Sequence, residues 1–109
     1  MSLDFVEIKK YFVETFDLLY SVMGENCFKK YNGSKFLGPV MAAAFQTIAT
    51  GIYGNITEIL ALKDKNKWLT NKIKSLYSQE IFRKNTIPGV KSIPRFKDLS
   101  LFGVQYFKP

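Results

Sequence analysis

Phe28, Tyr31 and Phe36 alternate with Lys29, Lys30 and Lys35 within one short stretch. Aromatic rings stack on bases and ammonium groups neutralise phosphates, so this composition suits a nucleic-acid surface. The spacing also has a plainer account: aromatics at i and i+3 of a short helix turn to the core, and the lysines between them face water. A second basic run, Arg83, Lys84, Lys91, Arg95 and Lys97, holds five cations and no acid across a segment containing Pro and Gly. Loops carry binding residues more often than packed helices do. The second run is therefore the stronger phosphate-contact candidate, and Lys29, Lys30 and Lys35 are the weaker one.

Other chemistry is excluded by residue type. The chain has no His, which removes Ser-His-Asp and Cys-His catalysis, His-ligated zinc and His-dependent metal nuclease centres. One Cys cannot build a thiolate cage, and Cys27 reads as a core thiol among apolar neighbours. Gly51-Ile52-Tyr53-Gly54 lacks the Lys-Ser/Thr pair of a phosphate loop and reads as a helix end. Glu14 and Asp17, at i and i+3, read as a solvated helix face rather than an acid/base or Mg²⁺ pair. No catalytic residue, metal or cofactor is expected.

The elements that must position these residues are helical. Asp4 can cap a first helix whose apolar stripe is Phe5, Ile8, Phe12, Phe16, Leu19 and Met23, ending at Gly24. Residues 25–31 read as a short helical turn closed by Asn32-Gly33; Asn-Gly also closes hairpins, but no alternating strand flanks it. Gly38-Pro39 reads as a helix start, followed by a helix over 40–53. Its small residues, among them Ala42, Ala43, Ala44, Ala49 and Gly51, imply a close helix approach at the centre of the domain. Asn55 and Asp64 are placed to cap a short helix and a longer one over about 65–77, the latter with Trp68, Leu69, Ile73, Leu76 and Tyr77 on one face. A turn then leads to Ile81 and Phe82, residues 85–94 read as a loop, and 95–102 form a last helix stopped by Gly103.

A length of 109 residues with 47% hydrophobic content supports one folded domain. Met1-Ser2-Leu3 reads as an added start, leaving residues 4–109 as a single helical domain. No apolar run is long enough to span a membrane, and a lone Cys with no signal-peptide pattern points to a reducing, cytoplasmic setting. The net charge is +7, and residues 1–24 carry four acids and two lysines while everything after is basic. That asymmetry suits nucleic acid or an acidic protein surface, and it also suits plain solubility. Ten Phe and six Tyr are many for one small core to hide, which points to an interface.

The string Met23-Gly24-Glu25-Asn26-Cys27-Phe28-Lys29-Lys30-Tyr31, then Gly33 and Lys35-Phe36, resembles a pattern near the C-terminus of the bacterial proteins with a ParB-like nuclease domain. The GmrSD-type modification-dependent restriction endonucleases belong to that family. The likeness continues through a middle helix, Trp68-Leu69, Ile73, Leu76-Tyr77 and Phe82 to Ile93-Pro94-Arg95 and Leu101-Phe102-Gly103. Met23 stands where an aromatic is usual, and Cys27 where a small residue is common. The resemblance implies the helical C-terminal segment of a larger phage-defence protein. The nuclease motif itself has no counterpart here, so no catalytic residue transfers. The implied partners are an N-terminal nuclease domain, DNA and a second copy, with no membrane.

The expected fold is all-α, a small single-domain bundle of five to six helices, two or three of them short. The expected function is a noncatalytic accessory domain of a DNA restriction nuclease that contacts the DNA backbone through its basic loop. The alternative is a protein-interaction or oligomerisation module without nucleic-acid contact.

Overall fold

Among the described residues six helices, α1 (Phe5–Met23), α2 (Ala42–Gly54), α3 (Ile56–Leu60), α4 (Lys65–Leu76), α5 (Glu80–Lys84) and α6 (Ser92–Tyr106), surround one hydrophobic core. The computed structural model describes residues 5–86 and 92–109, with side chains at 6–86 and 97–109. Between α1 and α2 a two-stranded antiparallel hairpin intervenes, β1 (Lys29–Tyr31) and β2 (Phe36–Val40). The molecule is therefore mostly helical rather than purely all-α.

The hairpin corrects the expected helical turn over 25–31 and the expected helix start at Gly38-Pro39. A single 3₁₀ turn, Gly24–Asn26, follows α1, with Gly24 at φ 58°, a left-handed conformation that favours glycine. The chain then extends. Asn32 Oδ1 accepts bonds from the Ser34 and Lys35 N–H groups, both at 2.9 Å, and Gly33 takes φ 96°. The Asn-Gly pair thus turns a hairpin after all. The register sets Tyr31 against Phe36 and Lys30 against Leu37, and then Lys29 against Val40, so Gly38 and Pro39 bulge out of the ladder. Pro39, which has no N–H to donate, sits in a strand of a two-stranded sheet, where an unpaired edge tolerates it.

α2 is the central helix. Ala43, Ala44, Thr47, Ile48, Ala49, Gly51 and Ile52 are all buried, the close-packing segment anticipated from its small residues. It runs against α6, where a Cβ on Gly103 would lie 2.3 Å from the Thr47 carbonyl oxygen. Gly103 is thus a contact point inside α6 and not a stop. Likewise residues 92–94 begin α6 rather than end a loop, while 87–91 lie outside the described residues.

Leu69, Ile73 and Leu76 of α4 and Phe82 of α5 are buried as their spacing predicts, with Trp68 and Tyr77 packed partly buried at the margin. Asp64 and Asn55 precede their helices as expected, yet neither makes a side-chain cap. The Asn55 amide instead donates to the carbonyls of Gly51 and Val104, each at 2.8 Å, tying the end of α2 to α6. On α1 the buried side is Thr15, Leu18 and Leu19; Ile8 and Phe12, expected on the core stripe, stay exposed beside α2. The expected cap at Asp4 lies outside the described residues. Among the described residues, no helix is long and apolar enough to cross a membrane.

Candidate nucleic-acid interface

The hairpin docks on α4 and α5 through a run of aromatic rings. Tyr31 packs on Phe36 with centroids 4.8 Å apart, Phe36 meets the edge of Tyr77 at 6.4 Å, and Tyr77 meets Phe82 at 5.2 Å. Such tilted and edge-on pairs match the ring quadrupoles and fix the docking angle. The Tyr77 hydroxyl donates to the Lys29 carbonyl at 2.7 Å, pinning β1 to the end of α4. Burial pushes the Tyr77 hydroxyl well above the ordinary tyrosine range, with the charge of a deprotonated Cys27 adding to the shift. Tyr77 is thus a neutral, structural donor at any ordinary pH.

This docking opens two adjoining clefts along the seam. One, of about 340 Å³, is lined by Lys30, Tyr31, Met41, Tyr77, Arg83 and Thr86 with Phe82 at its base. The other, of about 370 Å³, is lined by Tyr31, Asn32, Gly33, Lys74, Ser78 and Arg83 together with Tyr77. Tyr31, Tyr77 and Arg83 belong to both, so the two clefts adjoin along shared aromatic residues. Lys30 and Arg83 are exposed on their walls. Lys74 Nζ lies 5.6 Å from the centroid of the Tyr31 ring, a cation–π distance that holds the ammonium at the groove. Cations gathered beside aromatic rings suit a strand of nucleic acid, phosphates on the rim and a base against the rings.

Of the sequence-predicted contact residues, the structure brings Lys30 and Arg83 to one place, although they come from different basic runs. Lys29 is half-buried in β1, where its backbone rather than its ammonium is engaged. Lys35, in the hairpin turn, and Lys84, on α5, are exposed outside the groove lining. Lys97 is exposed on α6. Arg95 is on the same helix with its side chain outside the described residues, and Lys91 lies outside them altogether. The basic run is thus no single loop, because Arg83 and Lys84 are on α5 and Arg95 and Lys97 are on α6.

Lys74 is not among the contact residues that the sequence singles out. Its only local signal is its place one turn before Tyr77, which becomes informative once the hairpin is known to pack there. Cys27 is half-buried, and burial raises its thiol pKa above the ordinary value, which disfavours the nucleophilic thiolate. Among the described residues no three His, Cys, Asp or Glu side chains come together as a metal site would require. No family model, no curated protein and no solved structure matches this chain.

Proposed function

We propose that this chain is a noncatalytic helical accessory domain of a bacterial DNA restriction or phage-defence nuclease, working in the cytoplasm beside an N-terminal nuclease domain, and that it contacts the nucleic-acid backbone. The resemblance of residues 23–36 and of the later motifs to the ParB-like nuclease family supports the parent. The observation that carries the contact is that Lys30 and Arg83 line one cleft and Lys74 and Arg83 the next, both shared with Tyr31 and Tyr77, with Lys74 over the Tyr31 ring. Cations scattered for solubility have no reason to gather beside the same aromatic rings, whereas a phosphate-and-base ligand needs both.

The test is gel retardation of single-stranded and duplex DNA by the whole chain across a salt series. Retardation should weaken steeply with salt. Lys30→Ala, Lys74→Ala and Arg83→Ala should each flatten the logarithmic salt slope by roughly 0.7 for a single strand or 0.9 for a duplex, the loss of one phosphate contact. Absence of retardation at low salt, or slopes unmoved by all three variants, overturns the nucleic-acid contact.

A second reading, a protein-interaction module, rests on the large apolar side chains that stay exposed on α1 and α2, Phe12 and Phe45 foremost.

A further inference from the structure

Both clefts at the hairpin seam are lined by cations, and among the described residues neither is lined by an Asp or Glu. A hydrated phosphate needs no more than that. The first cleft offers more, because Met41, Phe82, Tyr31 and Tyr77 stand beside Lys30 and Arg83. Phe82 is 2% exposed, and Met41, Tyr31 and Tyr77 are partly buried, so these side chains line a recess and not a protrusion. Apolar walls with cations at the rim suit a flat, weakly polar ring joined to an anion. At about 340 Å³ the recess is at the small end of the range for small-molecule sites, about 300–1,000 Å³.

The second cleft shares Tyr31, Tyr77 and Arg83 with the first and adds Lys74. Lys30 lines only the first and Lys74 only the second. A ligand that meets all three cations therefore runs across two successive recesses, as a strand does and a free mononucleotide does not.

A double helix cannot use the recess. Its bases are stacked on one another and paired across the axis, so its outside presents phosphates, sugars and base edges but no base face. Proteins read those edges by sending a helix or a ribbon into a groove of the duplex. The rings here sit instead where the hairpin is fastened to α4, by the Phe36–Tyr77 contact and the Tyr77 hydroxyl bond to the Lys29 carbonyl. An unpaired strand has bases free to turn into a recess while its phosphates stay at the rim.

We propose that the seam binds an unpaired nucleic-acid strand, with one base set among Met41, Phe82, Tyr31 and Tyr77 and the flanking phosphates on Lys30, Arg83 and Lys74. The unpaired strand presupposes the nucleic-acid contact proposed above and narrows its ligand. Duplex meets the same cations through its phosphates alone and is held less tightly.

Fluorescence anisotropy titrations of the whole chain with three labelled ligands of equal length test this. They are oligothymidine, the same strand annealed to oligodeoxyadenosine, and an abasic deoxyribose-phosphate strand. Oligothymidine should bind more tightly than the duplex and roughly tenfold more tightly than the abasic strand, within the range for one stacked base. The abasic strand keeps every phosphate, so its logarithmic salt slope should equal that of oligothymidine. Met41→Ala should weaken oligothymidine several-fold without changing the slope, unlike the cation variants. If Met41→Ala does not fold, the ligand comparison on the unaltered chain decides alone. Duplex or abasic strand bound as tightly as oligothymidine overturns the unpaired-base assignment and leaves the phosphate contact standing. Displacement of the strand by equimolar thymidine monophosphate overturns it as well, since the ligand is then a free nucleotide. Binding of none of the three at low salt overturns the nucleic-acid contact itself, and the assignment with it.

Discussion

Gly51 and Gly103 meet where α2 crosses α6, so closely that a β-carbon on Gly51 would lie 2.5 Å from the Gly103 carbonyl oxygen and 2.6 Å from the Phe107 ring. A β-carbon on Gly103 would in turn strike the Thr47 carbonyl oxygen. Both obstacles include backbone, which cannot swing aside as a side chain can. This contact, more than any cap or ion pair, sets the depth to which α6 seats on the central helix.

Gly51→Ala and Gly103→Ala should therefore destabilise the domain by about 1–3 kcal/mol, the range for overpacking a filled core. This holds even though alanine favours a helix more than glycine by up to about 1 kcal/mol. Gly54→Ala is the control, because its β-carbon would meet the Val104 side chain, no nearer than 3.2 Å, and no backbone. Urea denaturation should show lowered midpoints for the first two and little change for the third.

Asn55 is buried between α2 and α6 and donates to two carbonyls. Asn55→Ala removes the donor from both and should cost about 1–3 kcal/mol. Asn55→Asp keeps the size but replaces the donating amide with an acceptor, so it should be no better than alanine. A helix cap would behave otherwise, since aspartate caps as well as asparagine does; thermal melts of the two variants separate the roles.

Stability should fall in alkali through Tyr77. Its folded pKa is raised above the unfolded value of 10.0 by burial. The folded state therefore holds its proton more tightly, and the corresponding stability is intact below pH 10 and lost as pH rises beyond it toward the folded value. Tyr77→Phe should lower stability at neutral pH by about 1 kcal/mol through the lost bond to Lys29, and should make the alkaline decline shallower. Denaturant midpoints measured from pH 7 to pH 11 check both effects.

Cys27 should react slowly with thiol reagents at neutral pH, because burial keeps the thiolate scarce. Its reaction should speed up in denaturant, where an ordinary pKa and full access return. Cys27→Ala should leave DNA retardation unchanged. A fast native reaction in a chromogenic disulfide assay would contradict the buried-thiol account.

Position relative to the groove should sort the lysines. Lys35→Ala and Lys84→Ala, exposed outside the lining, should change DNA retardation less than Lys30→Ala, Lys74→Ala or Arg83→Ala, although all five remove one charge. Equal losses from all five would mean that net charge, and not the groove, holds the nucleic acid.

Local pattern determined much of this protein. The repeating apolar positions of α4, Leu69, Ile73 and Leu76, define that helix and its buried face, and the run of small residues in α2 marks it as the closely packed centre. The absence of His removes whole classes of catalysis from the residue list alone. Short-range signals failed where two local outcomes lie close in energy. Asn32-Gly33 serves a helix end or a hairpin turn, and what favours the hairpin is the docking of Phe36, itself packed on Tyr31, against Tyr77. Gly103 looks like a stop and is a helix-crossing point because α2 lies against it. The groove is the extreme case. Lys30 and Arg83 fall in two separate basic runs and Lys74 in neither, and nothing in their spacing brings the three together. Their convergence depends on where an aromatic hairpin packs across α4 and α5, a long-range contact between side chains far apart in the chain, which only the tertiary structure decides.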